Sequence, residues 1–475
     1  MENFINGKWT KPQSGNYGNV SNPVTGEVFD KVPHSNLDDV NAVMEAAHEA
    51  FKKWKKVPVA ERALLQHKGA QLMRDHADEL GNLLANELGR PLDACIREIT
   101  RSADLTDYYA EEGLRLKGEI PLHNIEGERV MVIREPIGVV ISITSFNYPI
   151  ALLTMKLGAA LIAGCTIVSK PSDETPLSTM RLAELFSKAG YPPGVFNVIT
   201  GRGRDIGDAM VTHKYTSKIA FTGGTSTGQR IGALAAQLGK RFTLELGGQS
   251  PVIVCADANL DIAVPAIVKH TFANSGQFCY RVSRIYVHQD IYDEYVARMT
   301  EETKKLTVGN QFSGCDMGPI ISQKIYKTSE EQTADAKAKG ATITTGGERL
   351  KGAEFEKGWF FPPTIIADAN HSMEIMREET FGPVAAIMKF KTNEEAIALA
   401  NDSDYGLAAY VFTGELGTGL RIAEELEAGS VWVNNIQRSY HDVPFGGVKQ
   451  SGVGREKGRY GIESYTELKT IYYSY

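Results

Sequence analysis

The chain has 475 residues, 42% of them hydrophobic and 23% charged, with 51 Lys and Arg against 58 Asp and Glu for a formal charge of −7. That length and apolar content suit two or three domains with large cores and exclude an intrinsically disordered polymer. The negative balance, with no long basic run, excludes an electrostatic footprint for nucleic acid.

The opening residues, Met1-Glu2-Asn3-Phe4-Ile5-Asn6-Gly7-Lys8, have no basic segment followed by an apolar core. No secretory signal is read there, and the expected compartment is the cytoplasm. Residues 37–101, rich in Ala, Glu, Lys and Leu, predict a set of amphipathic helices capped at Ser35 or Asn36. The most apolar window, 137–168, holds Lys156 as its only full charge, but Asn147, Pro149 and several glycines interrupt it. A membrane span needs about 18 clean apolar residues, which this window does not offer. It parses instead as a β-branched strand over 137–144, a helix over 150–163 and a strand over 166–169, a βαβ unit. The rhythm continues with a helix over 177–189, a strand over 195–199, a helix over 205–211, a strand over 217–221 and a helix from Ser226. A second alternating region runs from Pro251 to about Ser430. Strands alternating with helices imply an α/β fold with parallel sheets covered on both faces and ligands at the carboxyl ends of the strands. No internal repeat or Pro/Gly/Ser linker separates autonomous modules, so the halves are expected to interlock.

Chemistry concentrates in three loops. Cys279 sits in Gly276-Gln277-Phe278-Cys279, Glu245 in Leu244-Glu245-Leu246-Gly247-Gly248, and Asn147 in Ser145-Phe146-Asn147-Tyr148-Pro149. A soft nucleophile, a carboxylate base and an amide donor are the groups needed to oxidise an aldehyde through a thioester, with no metal required. The five cysteines form no CxxC pair and the ten histidines show no metal-ligand spacing, which fits a reducing compartment and predicts no metal site. Cys165 and Cys255 lie in apolar runs and read as small buried hydrophobes. Two glycine-rich turns follow predicted strands. Phe221-Thr222-Gly223-Gly224-Thr225 opens a helix, where amides and the helix dipole can face a phosphate. Thr200-Gly201-Arg202-Gly203-Arg204-Asp205-Ile206-Gly207 reads either as a tight βα turn or as a place of close approach to an adenine. Lys170 and Asp173, just past a strand end, offer partners for ribose hydroxyls.

In order, Phe146-Asn147-Tyr148-Pro149, Lys170-Pro171-Ser172-Asp173, Phe221-Thr222-Gly223-Gly224-Thr225, Leu244-Glu245-Leu246-Gly247-Gly248, Gly276-Gln277-Phe278-Cys279, Glu379-Thr380-Phe381-Gly382-Pro383 and Pro444-Phe445-Gly446-Gly447 resemble the aldehyde dehydrogenase superfamily over essentially the whole chain. The resemblance implies an aldehyde dehydrogenase-like fold in three parts. These are a Rossmann-type NAD(P)-binding domain (1–116 and 136–247), an α/β catalytic domain (248–447) and a small β oligomerisation flap (117–135 and 463–475). It further implies a homodimer or homotetramer, a small-molecule aldehyde as partner, and neither nucleic acid nor membrane. In the implied chemistry the Cys279 thiolate adds to the aldehyde, the Asn147 amide and the Cys279 N–H hold the oxyanion, and Glu245 activates the water that hydrolyses the thioester. Lys170, Ser172, Asp173, Gly203, Gly223, Gly224, Glu379 and Phe381 would hold the cofactor. Coenzyme-A-acylating relatives usually lack the base, so Glu245 favours hydrolysis to a free acid.

The chain departs from the common family pattern in places that bear on its ligands. Phe146 replaces a frequent Trp and Gly224 a frequent Ser, which leaves backbone amides to anchor the pyrophosphate. Asp173 stands where Glu is more usual. A carboxylate there accepts from ribose hydroxyls and repels a 2′-phosphate by up to about 4 kcal/mol at ~4 Å. NAD is therefore the expected cofactor, with NADP possible beside Lys170. For the substrate, Tyr280, Arg281, Arg438 and His441 are the candidate contacts, since Arg suits planar oxyanions. The expected substrate is a small anionic or hydroxylated aldehyde, such as a semialdehyde, lactaldehyde, sulfolactaldehyde or glyceraldehyde phosphate. Met155 tells against a succinate-semialdehyde enzyme, whose relatives often carry Arg there. The alternatives are a broad-specificity aliphatic or aromatic aldehyde dehydrogenase, a non-catalytic binding protein of the same fold, and a thiol-dependent esterase.

Overall fold

The computed structural model describes residues 1–122, 125–436 and 439–475. An eight-stranded sheet forms the first layer. Its order is Lys8–Thr10, Asn3–Ile5, Phe196–Val198, Thr166–Lys170, Val139–Ile143, Thr216–Thr222, Arg241–Glu245, Gly452–Val453. The five middle strands are mutually parallel. Both edges are closed by antiparallel strands that periodicity did not reveal, the N-terminal hairpin on one side and Gly452–Val453 on the other. Strands of two or three residues are too short to show a period-2 signal.

Helix boundaries follow local chemistry. Leu37–Trp54 begins at Asn36, whose side chain accepts from the N–H groups of Asp38 and Asp39 while the Asp39 carboxylate accepts from the Asn36 N–H, a reciprocal cap. Pro149 occupies the first turn of Pro149–Ala163, where its missing N–H costs nothing, and Gly164 ends that helix at φ 97°. The expected helix over 205–211 divides into a π turn, Gly203–Gly207, and a short α turn, Asp208–Thr212. The β-branched strands Val139–Ile143 and Thr166–Lys170 are buried almost throughout and share a core with Pro149–Ala163, Leu177–Lys188 and the helices between 59 and 113.

The second region forms a seven-stranded sheet ordered Thr342–Thr345, Thr364–Ala367, Val384–Phe390, Val282–His288, Ser250–Val254, Ala408–Phe412, Ser430–Val433, parallel except at its first strand. A separate ladder pairs Glu128–Pro136 antiparallel with Thr466–Ser474. This ladder leaves Leu468, Tyr472 and Tyr475 exposed. No helix among the described residues is long and apolar enough to cross a membrane.

Candidate active site

Parallel strands of the first sheet deliver side chains to one edge. Thr166–Lys170 ends on Lys170, Thr216–Thr222 runs into Gly223 and Gly224, Arg241–Glu245 ends on Glu245, and Val139–Ile143 leads within four residues to Asn147. The carboxyl edge of a doubly wound sheet is where ligands collect, because the strand ends and the following helix N-termini leave polar backbone facing one crevice.

The Asn147 loop and the Cys279 loop are tied together. The Asn274 amide donates to the Asn147 carbonyl at 3.0 Å and to the Gln277 carbonyl at 3.2 Å, and Arg90 donates to the same Asn147 carbonyl at 3.3 Å. Arg90 is held by a buried ion pair with Glu98. The other Glu98 oxygen accepts from the N–H groups of Ile150 and Ala151 at 3.0 Å each. Breaking a pair buried this deeply leaves an uncompensated charge, so it fixes Asn147 firmly. The cysteine loop takes a left-handed path through Asn274 (φ 49°), Ser275 (φ 56°) and Gly276 (φ 73°). A Cβ on Gly276 would stand 2.3 Å from the Gly382 carbonyl oxygen, so only glycine lets this loop press against Gly382-Pro383. Likewise a Cβ on Gly248 would meet the Cys279 carbonyl oxygen at 2.2 Å, which packs the Glu245 loop directly on the nucleophile's backbone. Burial and the carboxylates of Glu379 and Glu245 push the Cys279 thiol upward, while the backbone N–H groups of Cys279 and Tyr280 act in the opposite direction.

Glu245 is 2% exposed and neither carboxylate oxygen has a hydrogen-bond partner among the described residues. Burial first, then the neighbouring Glu456, holds its carboxyl well above the usual range, against the pull of Lys156, Arg455 and Lys457. Behind it Lys156 donates to Glu456 at 2.6 Å and to Thr222 at 2.7 Å. This buried pair was not singled out from sequence, although a lone lysine in an apolar helix was its signal.

Glu379 accepts from the Gly248 N–H at 3.0 Å, and burial raises its carboxyl to about 7. Phe381 (φ 52°) stands edge-on to Phe146 with ring centroids 5.7 Å apart. Lys170 donates to Asp173 at 3.3 Å, and Ser172 turns to Glu174. Gly224 is the N-cap of helix Thr225–Gln237, which has no side-chain cap, and a Cβ there would meet nothing within 4 Å. An uncapped helix N-terminus opening on the sheet's carboxyl edge, next to a Lys and an Asp at a strand end, fits a dinucleotide's phosphates and ribose. Gly203 lies exposed in the turn after Phe196–Val198.

A cavity of about 1160 Å³, reaching Tyr280 next to the cysteine in sequence, has a wall that includes Arg97, Arg101, Tyr148, Tyr280, His441 and Lys457. Tyr280 packs edge-on against Phe445 at 5.6 Å. Burial, then Lys457 and Arg101, lowers the His441 imidazole's proton affinity. One candidate contact is revised. Arg281 does not line this cavity: it is 3% exposed, its Nη1 reaches the Val282 carbonyl at 3.4 Å, Nη2 has no hydrogen-bond partner among the described residues, and its charge faces Glu379. Tyr280 lines the cavity, whereas Arg281, in the bend just before strand Val282–His288, is buried. Arg438 lies outside the described residues. The cations on the wall that sequence reading missed, Arg97, Arg101 and Lys457 with Arg90 and Lys269, come from segments without a motif. No group of three or more metal-ligating side chains occurs among the described residues.

Residues 9–471 match the model of the "Aldehyde dehydrogenase family". The chain is 41% identical to the mitochondrial succinate-semialdehyde dehydrogenase of Arabidopsis thaliana, covering 99% of this chain and 88% of that protein. It is 40% identical to the NADP(+) succinate-semialdehyde dehydrogenase GabD of Escherichia coli strain K12, covering 98% and 96%. A solved structure of betaine aldehyde dehydrogenase from Staphylococcus aureus in complex with NAD+ superposes with a TM-score of 0.97 at 36% identity, covering 100% of this chain and 95% of that one. Full-length matches in sequence and in structure converge, and this chain belongs to the aldehyde dehydrogenase family.

Proposed function

We propose that the chain oxidises a small anionic or hydroxylated aldehyde to its carboxylate with NAD or NADP, semialdehydes being the first candidates. The observation that carries this reading is Glu245: a buried carboxylate with both oxygens unpartnered among the described residues, in the loop whose Gly248 packs on Cys279. A bare buried carboxylate is costly, and its retention here suits a base that must hold and deprotonate a water. The Cys279 thiolate attacks the aldehyde carbon, and the side-chain amide of Asn147 with the Cys279 N–H receives the oxyanion, each donor contributing about 3 kcal/mol. Bound NAD(P) supplies the hydride acceptor. Lys170, Ser172 and Asp173 would hold its ribose, Gly203, Gly223 and Gly224 would leave room for adenine and phosphates, and Glu379 and Phe381 would flank the nicotinamide end. Glu245 then directs water onto the thioester carbonyl, and Cys279 leaves as thiolate. Lys156 and Glu456 behind Glu245 are positioning residues that set its proton affinity.

Relatives use NADP in one named case and NAD in another. Asp173 favours NAD here, and Lys170 beside it tempers the preference. The test is a panel of anionic, hydroxylated, aliphatic and aromatic aldehydes with each cofactor, followed by reduced-nicotinamide absorbance and mass spectrometry of the product. Free carboxylate formed in step with reduced cofactor is expected, fastest with the anionic aldehydes. Ester hydrolysis without cofactor reduction on any aldehyde would overturn the reading.

A further inference from the structure

One part of the cavity wall does work that Cys279, Glu245 and Asn147 do not. Lys457 is 7% exposed, and its ammonium donates to the Ser439 hydroxyl at 2.6 Å, with no carboxylate within salt-bridge range among the described residues. Arg101 donates to the carbonyl of the same Ser439 at 3.3 Å, so two cations converge on one residue. Arg97 lies one turn back along helix Leu92–Gly113 on the same wall, and His441 closes it from the other side.

Several of the acids near this cluster are already committed, while Asp93 and Asp316 also line the cavity farther along its wall. Glu456 is bound to Lys156 at 2.6 Å and Asp104 to Arg74 at 2.7 Å, while Glu245 belongs to the hydrolytic machinery. Asp442, next to His441 in sequence, is the remaining carboxylate that bears on it. Burial, and then the positive charge of Arg101, drives the Lys457 ammonium down to about 8, which is the response of a cation lacking its counter-ion. Buried charges are ordinarily paired, so a buried ammonium on a cavity wall calls for an anion from outside.

We propose that Lys457 and Arg101, bridged by Ser439, receive a carboxylate, sulfonate or phosphate at the far end of the aldehyde, with Arg97 and His441 completing the wall. This rests on the reading of the site as an aldehyde dehydrogenase and names what gives that site its substrate class. It also resolves the objection from Met155: that side chain lines the same cavity as a neutral surface, and the cationic role has moved to helix Leu92–Gly113 and to Lys457. Specificity arises because an anion pairs the buried Lys457 charge, with the exposed Arg101 adding attraction, whereas a neutral aldehyde leaves that ammonium without a counter-ion.

The experiment compares succinic semialdehyde, glyceraldehyde phosphate and sulfolactaldehyde with butanal on wild-type enzyme, Lys457→Met, Lys457→Arg and Arg101→Met. In Lys457→Met the kcat/KM ratio of the preferred anionic aldehyde over butanal should fall about 30-fold, mostly through KM, with Arg101→Met following and Lys457→Arg restoring much of it. The three anionic arms identify which anion the wall prefers. Succinate binding by calorimetry gives a readout free of turnover: binding to wild type, weakened about tenfold or more in Lys457→Met, is expected. If Lys457→Met does not fold, Arg101→Met, altering an exposed side chain, carries the same measurements. Equal losses on anionic and neutral aldehydes, or unchanged succinate binding, overturn the proposal. A wild-type enzyme that reduces neither cofactor with any aldehyde overturns the functional reading instead, and succinate calorimetry still judges the anion site by itself.

Discussion

The two sides of the cysteine are built differently. The sheet-edge side is made of backbone: strand ends carrying Glu245 and Lys170, the Gly248 contact with the Cys279 carbonyl, and a left-handed loop wedged against Gly382-Pro383. The cavity side is made of long side chains from separate segments, Arg97 and Arg101 on one helix and His441 and Lys457 far along the chain. The first arrangement tolerates little variation, because a methyl group at Gly248 or Gly276 would collide with a carbonyl oxygen. The second is free to change its charge without moving the backbone. On the proposed reading, reaction chemistry is set on one side and the choice of aldehyde on the other, and variants on the two sides should differ in kind as well as in size.

The largest effect is expected on the backbone-built side. Cys279→Ala should reduce cofactor reduction by at least about 10⁴-fold on every aldehyde, anionic or neutral, as measured by reduced-nicotinamide absorbance. Any aldehyde that kept a measurable fraction of its rate would place the nucleophile elsewhere. Glu245→Gln should lower steady-state turnover about 10³-fold. Rapid mixing should still show a burst of reduced cofactor near one per subunit, because acylation precedes the water step. A linear trace at the normal rate would remove Glu245 from the role of base. Asn147→Ala, deleting one oxyanion donor, should cost about 10² to 10³ in kcat with little change in KM. A change confined to KM would make Asn147 a substrate contact.

Legibility in the sequence follows the same division. The parallel core strands and their helices were readable because β-branched runs such as Val139–Ile143 and a Pro-started, Gly-ended helix each carry their own signal. The motifs around Cys279 and Glu245 stand out in the sequence because close backbone packing demands glycine at Gly248 and Gly276. The edge strands Asn3–Ile5 and Gly452–Val453 were not, since two or three residues show no period and their pairing is settled only by tertiary contact. Lys156 was visible as a lone charge, but Glu456, 300 residues away, had no local mark tying it to that lysine. Arg281 misled for a related reason: adjacency to Cys279 suggested a shared cavity, whereas its side chain is buried and absent from the cavity wall. Arg97, Arg101 and Lys457 lie in stretches of ordinary surface-like composition, and only the fold brings Arg101 and Lys457 together on Ser439.

The smallest effect is the one that best separates the two sides. Lys457 sits near 8 because burial and Arg101 oppose its charge while Glu456 and Glu245 favour it only weakly. Below that value it is an ammonium; as pH rises through it the ammonium loses its proton, while Arg101 stays charged. KM for succinic semialdehyde should therefore rise about tenfold between roughly pH 7 and pH 9, and KM for butanal should stay flat. The chemistry on the sheet-edge side runs the other way, since Glu245 and Cys279 are both raised and both become competent as protons leave, so kcat should climb over the same interval for both aldehydes. Falling affinity for the anion against a climbing kcat yields a kcat/KM optimum for succinic semialdehyde that lies below the optimum for butanal. In Lys457→Met the two optima should coincide. Coincident optima in the wild type would mean that Lys457 does not sense the substrate's charge, and the division between the two sides would then rest on Arg97 and Arg101 alone.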